Sequence, residues 1–321
     1  MSEFDIITRY FSTQSTHRPD VLTGIGDDAA IVKPLAGYEL AITTDTLVKG
    51  IHFPESTLPY DIGYKSLAVN LSDLAAMGAK PAFVTLALTL PKKDTDFIQS
   101  FCHGFFTLAN RYDVQLIGGD LTHGPLSITI QAMGYTLPEQ AILRSGAKPH
   151  DLIYVTGTLG DAGLALQHLQ QGMTIQSAYQ HEIIKRLLRP EPQIAIGLSL
   201  TSLATAAIDI SDGLAADLNH ILKASGVGAR INVDKLPLSQ GLTHTLTADK
   251  AIALALTAGD DYELCFTVPA QKQIELEKRL SNLTCNYKYT CIGEITANPG
   301  LTLHYNNGNH YHGPVLGYEH F

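Results

Sequence analysis

The chain has 321 residues, a net charge of −9, 45% hydrophobic residues and 17% charged ones. That length outgrows one hydrophobic core, so two domains are expected, and the acidic balance excludes a nucleic-acid partner, which would need clustered Lys and Arg. No apolar run approaches bilayer length, no basic stretch precedes an apolar one at the N-terminus, and Cys102, Cys265, Cys285 and Cys291 form no CxxC pair; a cytoplasmic chain with free thiols and no membrane contact is expected.

Phe4, Ile7 and Phe11 recur at helical spacing and predict a short amphipathic helix over 3–12. The stretch 24–53, opening GIGDDAA and closing TTDTLVKGIHF, sets Asp27, Asp28 and Asp45 among glycines and hydroxyls. Residues 38–44 alternate as a strand ending at Asp45. Carboxylates this close raise one another's pKa unless a cation joins them, and a hard divalent cation takes such oxygen ligands. Turn and strand-end preferences would also produce these letters.

Residues 61–77 predict a helix, with Asp61 as N-cap, an apolar stripe of Leu67, Leu71 and Leu74, and Gly78 closing it. Asn70 and Asp73 share a face beside that stripe, where a solvated surface is the favoured reading. A strand over 82–90 and a helix over 95–112 follow. A buried strand over 114–117 then runs into Gly118-Gly119-Asp120. Paired glycines let backbone approach a ligand, and they also suit a tight turn. Residues 126–135 form another strand.

Periodicity disappears over 138–150, which places the domain boundary there: an N-terminal αβ domain over 1–137 and a C-terminal one over 138–321. Arg144 in this linker could grip an anion by its fork, although an exposed linker arginine is the commoner case. A strand over 151–156 leads into Gly157-Thr158-Leu159-Gly160-Asp161, a strand-to-helix turn that lacks the lysine of a P-loop. Helices near 160–171, 178–188 and 192–203 precede AIDISDG. There Ile208 and Ile210 point one way and Asp209 and Ser211 the other, with Asp212 placed to cap a helix over 213–224. Residues 228–233 predict a strand, and 251–256 fit helix or strand equally. Asp260-Asp261 follow another apolar run, ahead of a strand over 262–268. A helix near 271–281 and strands near 287–295 and 301–305 finish the pattern. The tail GPVLGYEHF ends in aromatics that could cover a pocket.

These acids share one arrangement: an apolar run, a glycine or hydroxyl residue, then Asp. Repeated through one acidic αβ chain, it points to carboxylates around several Mg²⁺ ions and to phosphoryl transfer without a P-loop. No GxSxG or HExxH competes.

GIGDDAA, TTDTLVKGIHF, NLSDLAAMGAKP, QLIGGDLTHGPLS, RSGAKPHD, YVTGTLGDA, AIDISDGLAADL and GYEHF together resemble the thiamine-monophosphate kinase family, in order from about residue 4 to the end. The wider superfamily, with aminoimidazole ribonucleotide synthetase and selenophosphate synthetase, shares parts of them. The resemblance implies two αβ domains of the aminoimidazole ribonucleotide synthetase-like type, with the N-terminal sheet shared across a homodimer. The N-terminal domain would carry the metal and ATP site, and the C-terminal domain would complete the ATP and substrate site. It implies ATP-dependent conversion of thiamine monophosphate to thiamine diphosphate, with ATP as co-substrate and several Mg²⁺ ions. By match to the family's motifs, Asp28, Thr43, Thr44, Asp45, Asp73, Asp120, Asp209 and Asp212 would hold Mg²⁺, with Asp45, Asp120 and Asp212 acting at the reacting groups. Gly119, Asp120, Arg144 and Ser211 would contact ATP; His52, Asp260 and Tyr318 would contact the thiamine phosphate. The chain departs from the family at Asp260, where Glu is frequent, and it has no Trp for stacking on the substrate rings. The alternatives are a sibling synthetase acting on another phosphorylated substrate and a non-catalytic metal-binding protein.

Overall fold

The computed structural model describes residues 2–13, 15–283 and 288–318. The expectations for Cys285, for a strand beginning at Tyr287 and for the final Glu319, His320 and Phe321 lie outside them. The chain forms two compact units: Met1–Leu74 with Ala79–Glu139, and Ala75–Gly78 with Gln140–Phe321. Each carries a sheet and helices, the two-domain α/β architecture expected.

The first unit contains α1 (Glu3–Ile6), β1 (Val21–Thr23), β2 (Ile31–Val32), β3 (Glu39–Val48), α2 (Pro59–Ala76), β4 (Lys80–Leu90), α3 (Thr95–Arg111), β5 (Gln115–His123) and β6 (Ser127–Thr136). Its four-stranded sheet has the order β3-β6-β4-β5, with β4 and β5 parallel and the other pairs antiparallel. Of Phe4, Ile7 and Phe11 in the N-terminal segment, Phe11 alone is buried. The segment continues from α1 as a π-helix over Ile7–Phe11, and Ile6 and Phe11 are its buried residues, while Phe4 is 77% exposed. The i→i+5 bonding of a π-helix widens the turn, which brings Ile6 toward the side of Phe11, where α-helical spacing would set the two apart.

α2 begins at Pro59, whose fixed φ and missing N–H suit a first helical position. Asp61 therefore lies inside the first turn, where its charge complements the helix dipole, and is not the N-cap. Leu67, Leu71 and Leu74 are buried as expected, and Gly78 closes the turn at φ +64°. Helices α2 and α3 meet through reciprocal glycines. A Cβ on Gly63 would lie 2.1 Å from the Phe101 carbonyl oxygen, and one on Gly104 would lie 1.9 Å from that of Tyr60. Overpacking of this kind typically costs about 1–3 kcal/mol, and here backbone is the obstacle. Gly104→Ala is expected to lower stability by at least that much, read as a fall in the urea midpoint at unchanged slope.

Two strands run further than their sequences suggest. β3 continues through Asp45 to Val48, paired with β6 along its whole length. β5 continues through Gly118-Gly119-Asp120 to His123, so GGD is strand and not turn. The ladder holds because Gly119 has no side chain: at φ +152° its Cβ would sit 1.9 Å from the Leu86 carbonyl oxygen on β4.

The second unit contains β7 (Asp151–Thr156), α4 (Asp161–Gln171), α5 (Ser177–Leu188), α6 (Ile194–Leu200), β8 (Ala206–Asp209), α7 (Leu214–Ser225), β9 (Gly228–Asn232), α8 (Gln240–Thr245), α9 (Ala248–Thr257), β10 (Leu264–Pro269), α10 (Gln273–Ser281), β11 (Tyr289–Thr296) and β12 (Gly300–His304). Its six-stranded sheet has the order β12-β9-β11-β7-β10-β8; only β12 and β9 pair in parallel. The ambiguous run 251–256 is helical, and α8 had no counterpart in the pattern. Ile153, Val155, Ile208 and Ile210 from the sheet region pack with Leu214, Leu218 and Ile221 of α7 in one buried cluster. A second cluster joins Leu164, Ile183, Leu187 and Leu242.

Candidate active site

In the first unit, Thr43 and Asp45 alternate onto one face of β3. That face meets α2 at Asn70 and Asp73. The Thr43 hydroxyl donates to the Asp73 carboxylate, and the Asp45 N–H donates to Asn70 Oδ1 at 3.2 Å. Asn70 is fully buried, its amide also donating to the Ser66 carbonyl at 3.1 Å. The polar pair on α2 is therefore not a solvated face. An i, i+3 pair on the helix and an i, i+2 pair on the strand are complementary, and only their packing reveals it. Burial and the Asp73 charge push Asp45 up to about 7. Thr44 points to the other side of the sheet, where its hydroxyl accepts from Gln131 Nε2 at 3.4 Å.

Asp28 and Asp120 occupy a different place. Together with Asp27 and Gly119 they line a cavity of about 570 Å³, which Phe4, Ile7 and Phe11 also border. Register carries the row Thr46, Thr129, Ala87, Asp120 straight across the sheet. Asp120 thus lies three strand spacings from the Asp45 region of β3, about 14 Å. Among the described residues, no three His, Cys, Asp or Glu side chains converge closely enough to hold a metal unaided.

His52 sits in the turn after β3. Its Nδ1 accepts the Val48 N–H at 2.9 Å, and the buried Lys65 ammonium donates to its carbonyl at 3.1 Å. The ring is oriented by backbone, with Nδ1 used as an acceptor and Nε2 left to carry the proton.

In the second unit, the segment Ser211-Asp212-Gly213 gathers the site. Asp212 does not cap α7. Gly213 stands at its N-cap with no side-chain cap, and Asp217 reaches back from the first turn to the loop ahead of it, where one carboxylate oxygen accepts the N–H groups of Ser211, Asp212 and Gly213 at 3.0–3.1 Å. The acid in the first helical turn was the available sequence signal for this. The neighbouring segments hang on the same loop: the Asp260 N–H donates to the Ser211 carbonyl, and the Tyr318 N–H to that of Asp212, both at 2.9 Å. Ser211, Asp212, Asp260 and Tyr318, distant in sequence, are thereby held together. Asp209 ends β8 nearby and is 5% exposed. Arg144 is exposed; Ser225 organises its loop, accepting from the Gly146 and Ala147 N–H groups at 3.1 Å.

Sequence reasoning missed a buried polar network behind this loop. Glu263, Asp161 and Asp261 are each at most 3% exposed. Arg186 reaches from α5 to Glu263 Oε1 and to the Thr158 carbonyl, both at 2.7 Å. Thr156 donates to the other Glu263 oxygen at 2.5 Å, and Thr158 to Asp161 at 2.6 Å. The turn 157–161 is thus built around internal partners: a Cβ on Gly157 would lie 1.9 Å from Glu263 Oε1. No local spacing links Arg186 to Glu263, so no motif could have shown the pair.

Residues 26–136 match the family model for the AIR synthase related protein, N-terminal domain, and residues 148–306 that for the C-terminal domain. The chain is 48% identical to the thiamine-monophosphate kinase of Salmonella typhimurium over 99% of its own length and 98% of that protein. It is 38% identical to that of Bacillus subtilis over 88% of each. Among solved structures, the thiamine-monophosphate kinase of Stenotrophomonas maltophilia superposes with a TM-score of 0.88 at 46% identity, over 97% of this chain and 98% of that one. A structure of AaThiL complexed with AMPPCP and TMP superposes with a TM-score of 0.77 at 31% identity, over 90% and 89%.

Proposed function

The chain belongs to the thiamine-monophosphate kinase family, and on that premise we infer that it transfers the terminal phosphoryl group of ATP to thiamine monophosphate, giving thiamine diphosphate. The observation that carries this reading is identity of 48% sustained over nearly the whole of both chains. A relative of the same fold is described with AMPPCP, an ATP analogue, and TMP.

The acceptor is already a phosphate oxygen anion, so direct in-line transfer needs no general base. What opposes it is repulsion between two phosphate groups, and catalysis is positioning plus charge neutralisation. Mg²⁺ would supply that neutralisation. The residues fit it: Asp45 and Asp73 are half-buried carboxylates brought near each other, with the Thr43 hydroxyl beside them, an all-oxygen donor set. We assign Asp28, Thr43, Thr44, Asp45, Asp73 and Asp120 in the first unit, and Asp209 and Asp212 in the second, to holding Mg²⁺. Gly119, Asp120, Arg144 and Ser211 are assigned to ATP, and His52, Asp260 and Tyr318 to the acceptor. Asp45, Asp120 and Asp212 act at the reacting groups. Main-chain tethering of Asp260 and Tyr318 to the Ser211-Asp212 segment supports the second-unit part of this assignment.

The working form is a homodimer joined through the first-unit sheet. Along the unpaired edge strand β3, Leu40 and Ile42 expose apolar side chains on alternate positions, with Tyr38 ahead of them. The separation of Asp45 from Asp120 adds a second argument: a compact ion cluster that uses both draws them from two copies. We place the protein in the cytoplasm. Cys102, Cys265 and Cys291 are free thiols, and no helix among the described residues is long and apolar enough to cross a membrane.

Phosphorus NMR of the purified protein with ATP, Mg²⁺ and thiamine monophosphate tests the reading. Growth of diphosphate-ester resonances beside ADP, absent without Mg²⁺, is expected. ATP breakdown to free phosphate with the monophosphate unchanged would instead assign the protein to a sibling synthetase activity.

A further inference from the structure

Two residues flanking Asp261 hold backbone conformations that side chains rarely adopt: Asp260 has φ +69° and Tyr262 φ +50°. A tyrosine in the left-handed region is unfavourable by roughly 1–2 kcal/mol, and such strain persists only where surrounding structure enforces it. Here the enforcement is visible. On one side, the N–H groups of Asp260 and Tyr262 donate to the carbonyls of Ser211 and Ile210 at 2.9 and 2.8 Å. On the other, the Asp261 side chain, 3% exposed, is plugged into the start of α4: one oxygen accepts the Gly160 N–H at 2.6 Å and the other the Ala162 N–H at 3.2 Å. Gly160 is the N-cap of the helix and Ala162 its second residue, and amides at these positions have no partner within it. Asp260 and Tyr262 are half-buried on either side of that plug.

We propose that Asp261 is a positioning residue for the acceptor: its bidentate grip on the first turn of α4 forces the left-handed turn at 260–262 and so fixes where Asp260 meets the thiamine phosphate. This rests on the assignment of Asp260 to the acceptor. Asp261 touches no substrate. The grip needs two acceptor oxygens, because two N–H groups face it. An amide in its place keeps one acceptance and turns an NH₂ toward the remaining N–H, which releases the plug while preserving shape.

The test compares Asp261→Asn with Asp260→Ala in the full chain, measuring KM for thiamine monophosphate and for ATP separately. Asp260→Ala is expected to raise the acceptor KM at least tenfold with the ATP KM within twofold, which checks the assignment. Asp261→Asn is expected to reproduce that selective rise. KM is independent of how much of a sample is folded, so partial misfolding does not obscure it. Should Asp261→Asn give no folded protein, the double variant Asp261→Asn/Tyr262→Gly relieves the strain at 262 while leaving the grip broken, and the same selective rise is expected. A lowered kcat with both KM values unchanged, or a double variant that still fails to fold, overturns the proposal and leaves Asp261 as a purely structural anchor. If Asp260→Ala leaves the acceptor KM unchanged, the assignment of Asp260 fails and the proposal falls with it; a selective rise from Asp260→Ala that Asp261→Asn does not reproduce overturns the proposal and leaves the assignment standing.

Discussion

Asp45→Asn is expected to lower turnover by about 10²–10³ and, without metal, to make the protein more stable. The two effects have one cause. Burial and the Asp73 charge push Asp45 up to about 7, so its ionised form is costly in the folded chain. A carboxyl whose folded pKa lies above its unfolded value contributes stability that is fully present below the unfolded value. That stability is lost as pH rises through the folded one. A shift of this size corresponds to at most about 4 kcal/mol. In EDTA, urea midpoints of wild type and Asp45→Asn should therefore differ little near pH 4 and diverge as pH climbs to about 7, the variant being the more stable at pH 8. With Mg²⁺ the order should reverse, because the cation stabilises only the chain that still offers the carboxylate. Losing one preorganised charge at the reacting groups typically costs about 10²–10³ in kcat. A variant with wild-type turnover, or one less stable than wild type in EDTA at pH 8, would remove Asp45 from the metal site.

Mixing two inactive variants should restore activity. Asp45→Asn and Asp120→Asn each break every site when present in both copies of a dimer. If each site takes Asp45 from one chain and Asp120 from the other, a mixed dimer keeps one site whole. Random exchange of subunits makes half the dimers mixed, so about a quarter of wild-type activity should return. The physical ground is the sheet register, which spaces the two acids about 14 Å apart within one chain. Refolding the variants together from denaturant, with native mass spectrometry to establish exchange, checks this. Mixed dimers without activity would place the whole site within one copy and make the spread of acids a matter of several ions bridged by phosphates.

The chemistry was legible in the sequence, and the packing that organises it was not. Local patterns located most helices and strands within a few residues, because amphipathic period and glycine punctuation are properties of the chain itself. They also located the acids and, through motif resemblance, the family. They misjudged Asn70 and Asp73, because the burial of a helix face depends on a strand that crosses it. They misjudged Asp212 as a cap, because Gly213 takes the N-cap and the loop that carries Asp212 is held by Asp217 from inside the helix. They saw GGD as turn or approach and not as strand, because it is the Leu86 backbone of β4 that makes Gly119 obligatory there. The buried Arg186–Glu263 pair and the plug formed by Asp261 are contacts between residues far apart in the chain. Sequence determined the family, the fold and where along the chain the acids stand. Only tertiary structure decided which of those acids are buried together, which are satisfied by backbone amides, and hence which carry unfavourable charge that a cation or a substrate can relieve.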